Sequence, residues 1–259
     1  TALIKDVQKT PIFTSDLDVE NFTFQKDTVG NLKISIDNKI ANTYTAKVEL
    51  TGQENQLNLD GNFKTLNSSF DMKLDIQRLN VKSIQGFTFG NITNSTGFLN
   101  GNFLITGTTT KPNIIGELKF NNVGFKAKQL NAKFKSINDK IVFSDNTIAF
   151  NNFAIRDENN NDLVIRGKIN STDYSNLGFD LIVDADNFKA VNSKEKDNKI
   201  FYGELFLDNH LIVKGTMNAP FVEGTIKVNK DTKFTIVLPQ DDPSIADREG
   251  IVEFIDQDQ

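Results

Sequence analysis

Phe103–Phe120, FLITGTTTKPNIIGELKF, reads as a strand, a tight turn and a second strand. Phe103, Ile105 and Gly107, then Ile114, Gly116, Leu118 and Phe120, fall on alternate positions. Period-2 spacing of this kind places each set on one face of a strand. Gly-Thr and the Pro that follows are turn and restart signals. The same unit recurs at Leu211–Val228, LIVKGTMNAPFVEGTIKV. In both copies Pro comes five residues after the Gly of Gly-Thr, and another Gly comes four residues after the Pro. The copies lie 108 residues apart (215 − 107). A duplicated strand–turn–strand unit predicts a stacked, repetitive β structure rather than an enzyme pocket.

Alternation of apolar and polar residues extends in both directions from that unit. Leu17, Val19, Phe22 and Phe24 open it, with a phase slip between Val19 and Phe22 that fits a bulge. Rows follow at Leu32–Ile36, Tyr44–Leu50, Leu57–Phe63 and Phe70–Ile76, separated by turn-forming DNK, GQEN and NSS. Residues 79–97 break the pattern, and a short helical turn is expected around Val81–Gln85, ended by Gly86. Ile141, Phe143, Ile148 and Phe150 flank Asp145-Asn146, a hairpin signal. Further rows run to Leu238. Residues 239–250 read as a polar connection, and Ile251–Ile255 as the start of a last strand. The expected organisation is a β-rich segment over 1–78, a bridge over 79–97 and a β segment over 98–259. Strands at this spacing, without a helical stripe, predict an all-β sandwich, barrel or curled sheet.

The chain has 259 residues and a formal net charge of −5. That argues against nucleic acid as a partner, because phosphate binding needs concentrated Lys and Arg. Lys33, Lys47, Lys119 and Lys168 are spread singly through strands, as on a solvated outer face. Cys is absent, which excludes a disulfide framework and thiolate metal sites. Phe supplies 22 residues against three Tyr, with 38% hydrophobic residues overall, which suggests one greasy face and one wet face. The opening TALIKDVQ carries neither initiator Met nor signal peptide, as expected of a piece of a longer protein.

The residue inventory offers little for catalysis. His210, between Asn209 and Leu211, reads as an exposed loop histidine at a strand start, with no nucleophile set around it. Asp241, Asp242 and Asp247 lack the spacing that wraps calcium. No catalytic residue, metal site or cofactor is expected. A long apolar face remains, with Gly101, Gly107, Gly116, Gly167, Gly215 and Gly224 in its register. Glycine in a strand needs a reason. One is curvature or bulging. The other is space, a channel that side chains do not fill and that would suit acyl chains.

The run STGFLNGNFLITGTTTKPNIIGELKFNNVGF resembles the repeating signature of the TamB family of the AsmA-like group. The signature falls on Gly97, Leu99, Gly101, Phe103, Ile105, Gly107, Thr108, Pro112, Ile114, Gly116, Leu118 and Phe120. The tail from Lys196 is similar to TamB-type proteins of the Bacteroidetes. The resemblance implies a long, U-shaped, antiparallel or mixed sheet, the β-taco, with an apolar inner groove and little helix. It implies a periplasmic protein held in the inner membrane by an N-terminal helix outside this chain, and a partner of the BamA/TamA outer-membrane barrel class.

On that reading the groove is a conduit for phospholipid acyl chains between inner and outer membrane. The expected lining is Phe103, Ile105, Ile114, Leu118, Phe120, Leu211, Val213, Val222, Ile226, Val228, Phe234, Ile236 and Leu238, with motif glycines Gly101, Gly107, Gly116, Gly215 and Gly224. The alternatives are a chaperone-like factor for β-barrel assembly and a structural spacer whose apolar row is a closed core.

Overall fold

The computed structural model describes residues 2–5 and 12–238. The connection expected at 239–250, the strand expected at 251–255 and Asp241, Asp242 and Asp247 lie outside the described residues. Strands β1 (Ala2–Lys5), β2 (Ile12–Phe24), β3 (Asp27–Asp37), β4 (Thr43–Gly52), β5 (Asn55–Lys64) and β6 (Ser69–Asn80) come first. A one-turn helix α1 (Val81–Ile84) and a 3-10 turn (Gln85–Thr88) follow. Then come β7 (Ile92–Thr108), β8 (Pro112–Ala127), β9 (Ala132–Ile137), β10 (Lys140–Ser144), β11 (Thr147–Arg156) and β12 (Asp162–Asn170). The last are β13 (Gly178–Ser193), β14 (Phe201–Thr216), β15 (Pro220–Val228) and β16 (Lys233–Ile236).

All sixteen belong to one antiparallel sheet in which strands pair with their neighbours in sequence. Strands β9 and β10 lie end to end between β8 and β11, and β15 and β16 lie end to end along β14. The fold is therefore a meander and not a two-layer sandwich. Two-residue turns with both residues at positive φ close β2–β3 (Gln25, Lys26), β4–β5 (Gln53, Glu54) and β10–β11 (Asp145, Asn146). Such turns match the right-handed twist of the strands they join.

The repeated unit forms two hairpins of one design. Thr108 and Lys111 exchange backbone hydrogen bonds of 3.1 Å each way, and Thr216 and Ala219 do so at 3.2 and 3.1 Å. Gly107 stands opposite Pro112, and Gly215 opposite Pro220. The two glycines have φ of 95° and 82°, and an added Cβ would sit 2.3 Å from the carbonyl oxygen of Lys111 or Ala219. Glycine is thus a backbone requirement there.

Strand β6 continues to Asn80 and pairs with β7 through Leu79–Leu99 and Asn80–Phe98, and among the described residues helical structure is confined to 81–88. The Asn80 side chain caps α1 by accepting from the Lys82 amide at 3.1 Å. Gly86 does not end the helical stretch as expected. It lies inside the 3-10 turn, which ends at left-handed Phe89. The turn is anchored on β2, where Phe87 stacks on Phe24 with ring centroids 4.4 Å apart.

A recurrent device bends the long strands. Asn21, Asn122, Asn152 and Asn187 have φ of 52°, 48°, 55° and 47°, in the middle of β2, β8, β11 and β13. Register shifts mark β-bulges at Val19/Phe22, Asn121/Gly124, Phe150/Phe153 and Ala185/Phe188. Each asparagine precedes an apolar residue: Phe22, Val123, Phe153 or Phe188. The extra residue advances the strand by one position, so this apolar side chain returns to the face it would otherwise leave. Val123, Phe153 and Phe188 are among the ten buried apolar side chains of the described residues. Asn tolerates the left-handed region, which costs other L-residues about 1–2 kcal/mol. The exposed Asn152 tests this account. Asn152→Gly is expected to leave stability nearly unchanged, and Asn152→Val to lower it by about 1–3 kcal/mol in urea denaturation.

Candidate functional site

Register carries the apolar face across the sheet. Val19, Leu32, Leu50, Leu57, Ile76 and Gly101 stand opposite one another in turn from β2 to β7. Leu118, Ile141, Phe150, Gly167, Leu181, Val213 and Val222 continue the rung to β15. A second rung, from Leu17 through Leu74, Phe103, Gly116, Phe143, Ile148 and Phe179 to Gly215 and Pro220, runs beside it. Neither rung contains a polar residue. At about 4.8 Å per strand, a rung of this length spans about 60 Å. The outward rung between them reads Asp18, Lys33, Glu49, Asn58, Asp75, Asn102 and Glu117 over β2–β8.

The face is open. A packed sandwich would bury these side chains between two layers about 10 Å apart. Here Phe103, Ile105, Ile114, Leu118, Phe120, Leu211, Val213 and Phe234 are only half-buried. Val222, Ile226, Val228, Ile236 and Leu238 are 56%, 61%, 59%, 64% and 77% exposed. Of these, Phe103, Leu118, Val213 and Val222 stand in the two rungs, and the others except Leu238 lie at alternate positions of β7, β8, β14, β15 and β16 beside them. Leu238 lies beyond the end of β16. Sequence reasoning placed Leu32, Leu50, Leu57, Ile76, Ile141, Phe150 and Leu181 on strands but not in the lining. Only pairing register joins them to it.

The glycine positions are not vacant. Gly116 lies between Phe103 on β7 and Phe143 on β10, whose rings meet edge to face at 5.4 Å. An added Cβ on Gly116 would sit 2.1 Å from the Asn102 carbonyl oxygen and 2.8 Å from the Phe103 ring. That glycine lets an aromatic ring cross its strand. The open space comes instead from the missing second layer.

One side of the trough is walled beyond the bulges. The Phe134 ring on β9 stacks on Phe188 of β13 at 5.7 Å. The Asn192 amide donates to the Leu130 carbonyl at 3.0 Å, so the sheet folds over the end of the β11–β12 hairpin. Beneath this fold Asp157 is fully buried and accepts from the Asn159, Asn161 and Lys189 amides at 2.8–2.9 Å. Buried Lys189 reaches Glu158 at 2.8 Å and Glu204 at 2.5 Å. Burial works against its charge, but the two carboxylates outweigh it and raise its pKa above the usual lysine value.

The polar groups on the outer face form ion pairs within and between strands. Glu117 accepts from Lys119 at 2.7 Å and Lys140 at 2.8 Å, and these bonds hold its pKa at about 2. Asp208 is held well below the carboxylate range by hydrogen bonds from the Asn229 side chain, the Asn187 amide and Lys227. Lys33, Lys47, Lys119 and Lys168 are exposed, as expected. His210 differs from expectation. It sits inside β14, which runs unbroken through Asp208–His210, and its Nδ1 lies 2.6 Å from Asp184 Oδ1 on the outer face. Arg166 pairs with the other Asp184 oxygen. Among the described residues no cluster of three or more His, Cys, Asp or Glu could hold a metal. No described helix is long and apolar enough to cross a membrane.

Residues 151–259 match the family model of the TamB C-terminal domain. The chain carries a TamB-family domain. The match begins inside β11, so the first copy of the repeated unit lies outside it and the second lies within. No curated protein and no solved structure matches the chain. TamB proteins are envelope transport and assembly components and not a known enzyme family. The all-β sheet makes the outer ion pairs testable. Its Glu117 carboxylate should titrate near pH 2 by NMR, and Lys119→Met with Lys140→Met should return it toward the ordinary 4.5. A depressed folded value means this contribution is complete above the unfolded pKa and is lost as pH falls from there through about 2.

Proposed function

We propose that the chain is a section of a periplasm-spanning conduit in which phospholipid acyl chains lie in the apolar trough on their way between inner and outer membrane. The observation that carries this reading is the pair of rungs without a polar residue, which apart from Leu50, Ile76 and Gly101 are half-buried or exposed. Each methylene moved from water onto such a surface gains up to roughly 0.8 kcal/mol, without directional bonds that would hold the lipid at one point. The TamB domain supports an envelope setting. In the full protein we place the conduit in the periplasm, anchored in the inner membrane and joined to a BamA/TamA-type barrel.

A second reading has its own observation. Among the described residues the outer edge of β15 has no strand partner, and Pro220–Val228 is exposed throughout. Such an edge can accept a strand by β-augmentation, as a chaperone for barrel proteins would require.

Protein purified without detergent is expected to release phospholipid on extraction, detected by mass spectrometry, and to label with a photo-crosslinkable lipid. Ile114→Asp and Ile226→Asp should each reduce both signals about tenfold or more, because a carboxylate beside hydrocarbon must be desolvated. The melting temperature of Ile226→Asp should stay close to wild type, since Ile226 is 61% exposed. A lipid-free wild-type protein that labels only with unfolded barrel strands would replace the conduit with the chaperone.

A further inference from the structure

The β8–β9 hairpin has an outer face unlike the rest of the molecule. Its sequence, Phe125–Lys135, reads FKAKQLNAKFK, with four lysines and no carboxylate. Phe125 and Phe134 turn inward and meet edge to face at 5.5 Å. Alternation then turns Lys126, Lys133 and Lys135 outward, with Lys128 at the turn. Lys126 stands directly opposite Lys133 in the ladder. Like charges in that position destabilise a sheet. Elsewhere on the outer face several lysines are bridged by acids, as Lys119 and Lys140 are by Glu117. Among the described residues Lys126, Lys128 and Lys133 have no ion pair, and Lys135 donates only to the Glu158 backbone carbonyl at 2.9 Å.

The cationic surface extends beyond the hairpin. Asn198 donates to the Gln129 carbonyl at 3.2 Å, which docks the loop 194–199 beside it. This loop adds Lys194, Lys196 and Lys199, all exposed, against Glu195 and Asp197. Asp197 is already engaged with the Lys194 amide at 3.0 Å. The excess positive charge therefore sits in one place, on a chain whose formal net charge is −5.

We propose that the outer face of the β8–β9 hairpin is a docking surface for an anionic bilayer, with Lys126, Lys128 and Lys133 facing lipid phosphates. Charge complementarity argues for this partner. Unpaired lysines that share the outward side of one hairpin suit a plane of fixed negative charge, which can lie within a Debye length of several of them at once. An anion opposite Lys126 and Lys133 also relieves their mutual repulsion. A nucleic-acid strand fits less well, because the hairpin offers no outward aromatic side chain for base stacking. The site lies on the face opposite the trough and operates whether or not the trough holds lipid.

Cosedimentation with vesicles tests the proposal. One set contains 30% phosphatidylglycerol in phosphatidylcholine, and the other is pure phosphatidylcholine. The wild-type protein is expected to bind the first and not the second, and to lose binding as salt rises from 0.1 to 0.5 M. Lys126→Gln with Lys133→Gln should weaken binding about 20-fold or more, at roughly fivefold per lysine. That variant should melt no lower than wild type, because it removes a like-charge pair. Ile226→Asp, which tests the trough, should leave vesicle binding unchanged. Equal binding to both vesicle types, or full binding by the double variant, would overturn the proposal.

Discussion

The structure depends on keeping one side of every strand apolar across strands that bend. A bend made by a bulge adds a residue, and one added residue reverses the side on which all later side chains emerge. The sequence resolves this with a polar residue, a left-handed asparagine and then an apolar residue. Asn122 before Val123, Asn152 before Phe153 and Asn187 before Phe188 each let a strand turn while its hydrophobic series stays inside. Without that phase correction the trough would have an apolar half and a charged half.

The same constraint explains where the molecule is packed and where it is not. Buried apolar side chains cluster just beyond the bulges, where Val123, Ile137 and Phe153 meet and where Phe134 meets Phe188. The rungs on the other side have no covering layer, so their cohesion comes from lateral contacts between adjacent strands, such as Phe103 against Phe143 over Gly116. Hydrogen-bonded ladders and outer ion pairs hold the remainder.

Much of this was legible in the sequence. Alternation located the strands, Asp145-Asn146 marked its turn, and the two Gly-Thr…Pro units folded alike. The phase slip at Val19–Phe22 was read as a bulge, and the same slip is written at Phe120–Val123, Phe150–Phe153 and Ala185–Phe188. The glycines were harder. Gly116 looks from sequence like missing volume, and only the crossing Phe103 ring shows that the volume is used. The wall made by Phe134 and Phe188 could not be read at all, because it joins residues 54 positions apart (188 − 134) with no local signal. His210 was misplaced for a related reason, since the polar run Asp208–His210 looks like a loop until its partners Asp184 and Lys227 are known.

The sequential pairing of strands has a consequence for how such a protein changes length. Each hairpin depends mainly on the two beside it, and no second layer must be kept in step with the first. Stability is then close to a sum over neighbouring units, and ordering can spread from any well-formed hairpin along the chain. A duplication of one strand pair that preserves the alternation would lengthen the trough by about 10 Å and disturb only its insertion point. The copy at Leu211–Val228 of the unit at Phe103–Phe120 has the form such growth would leave.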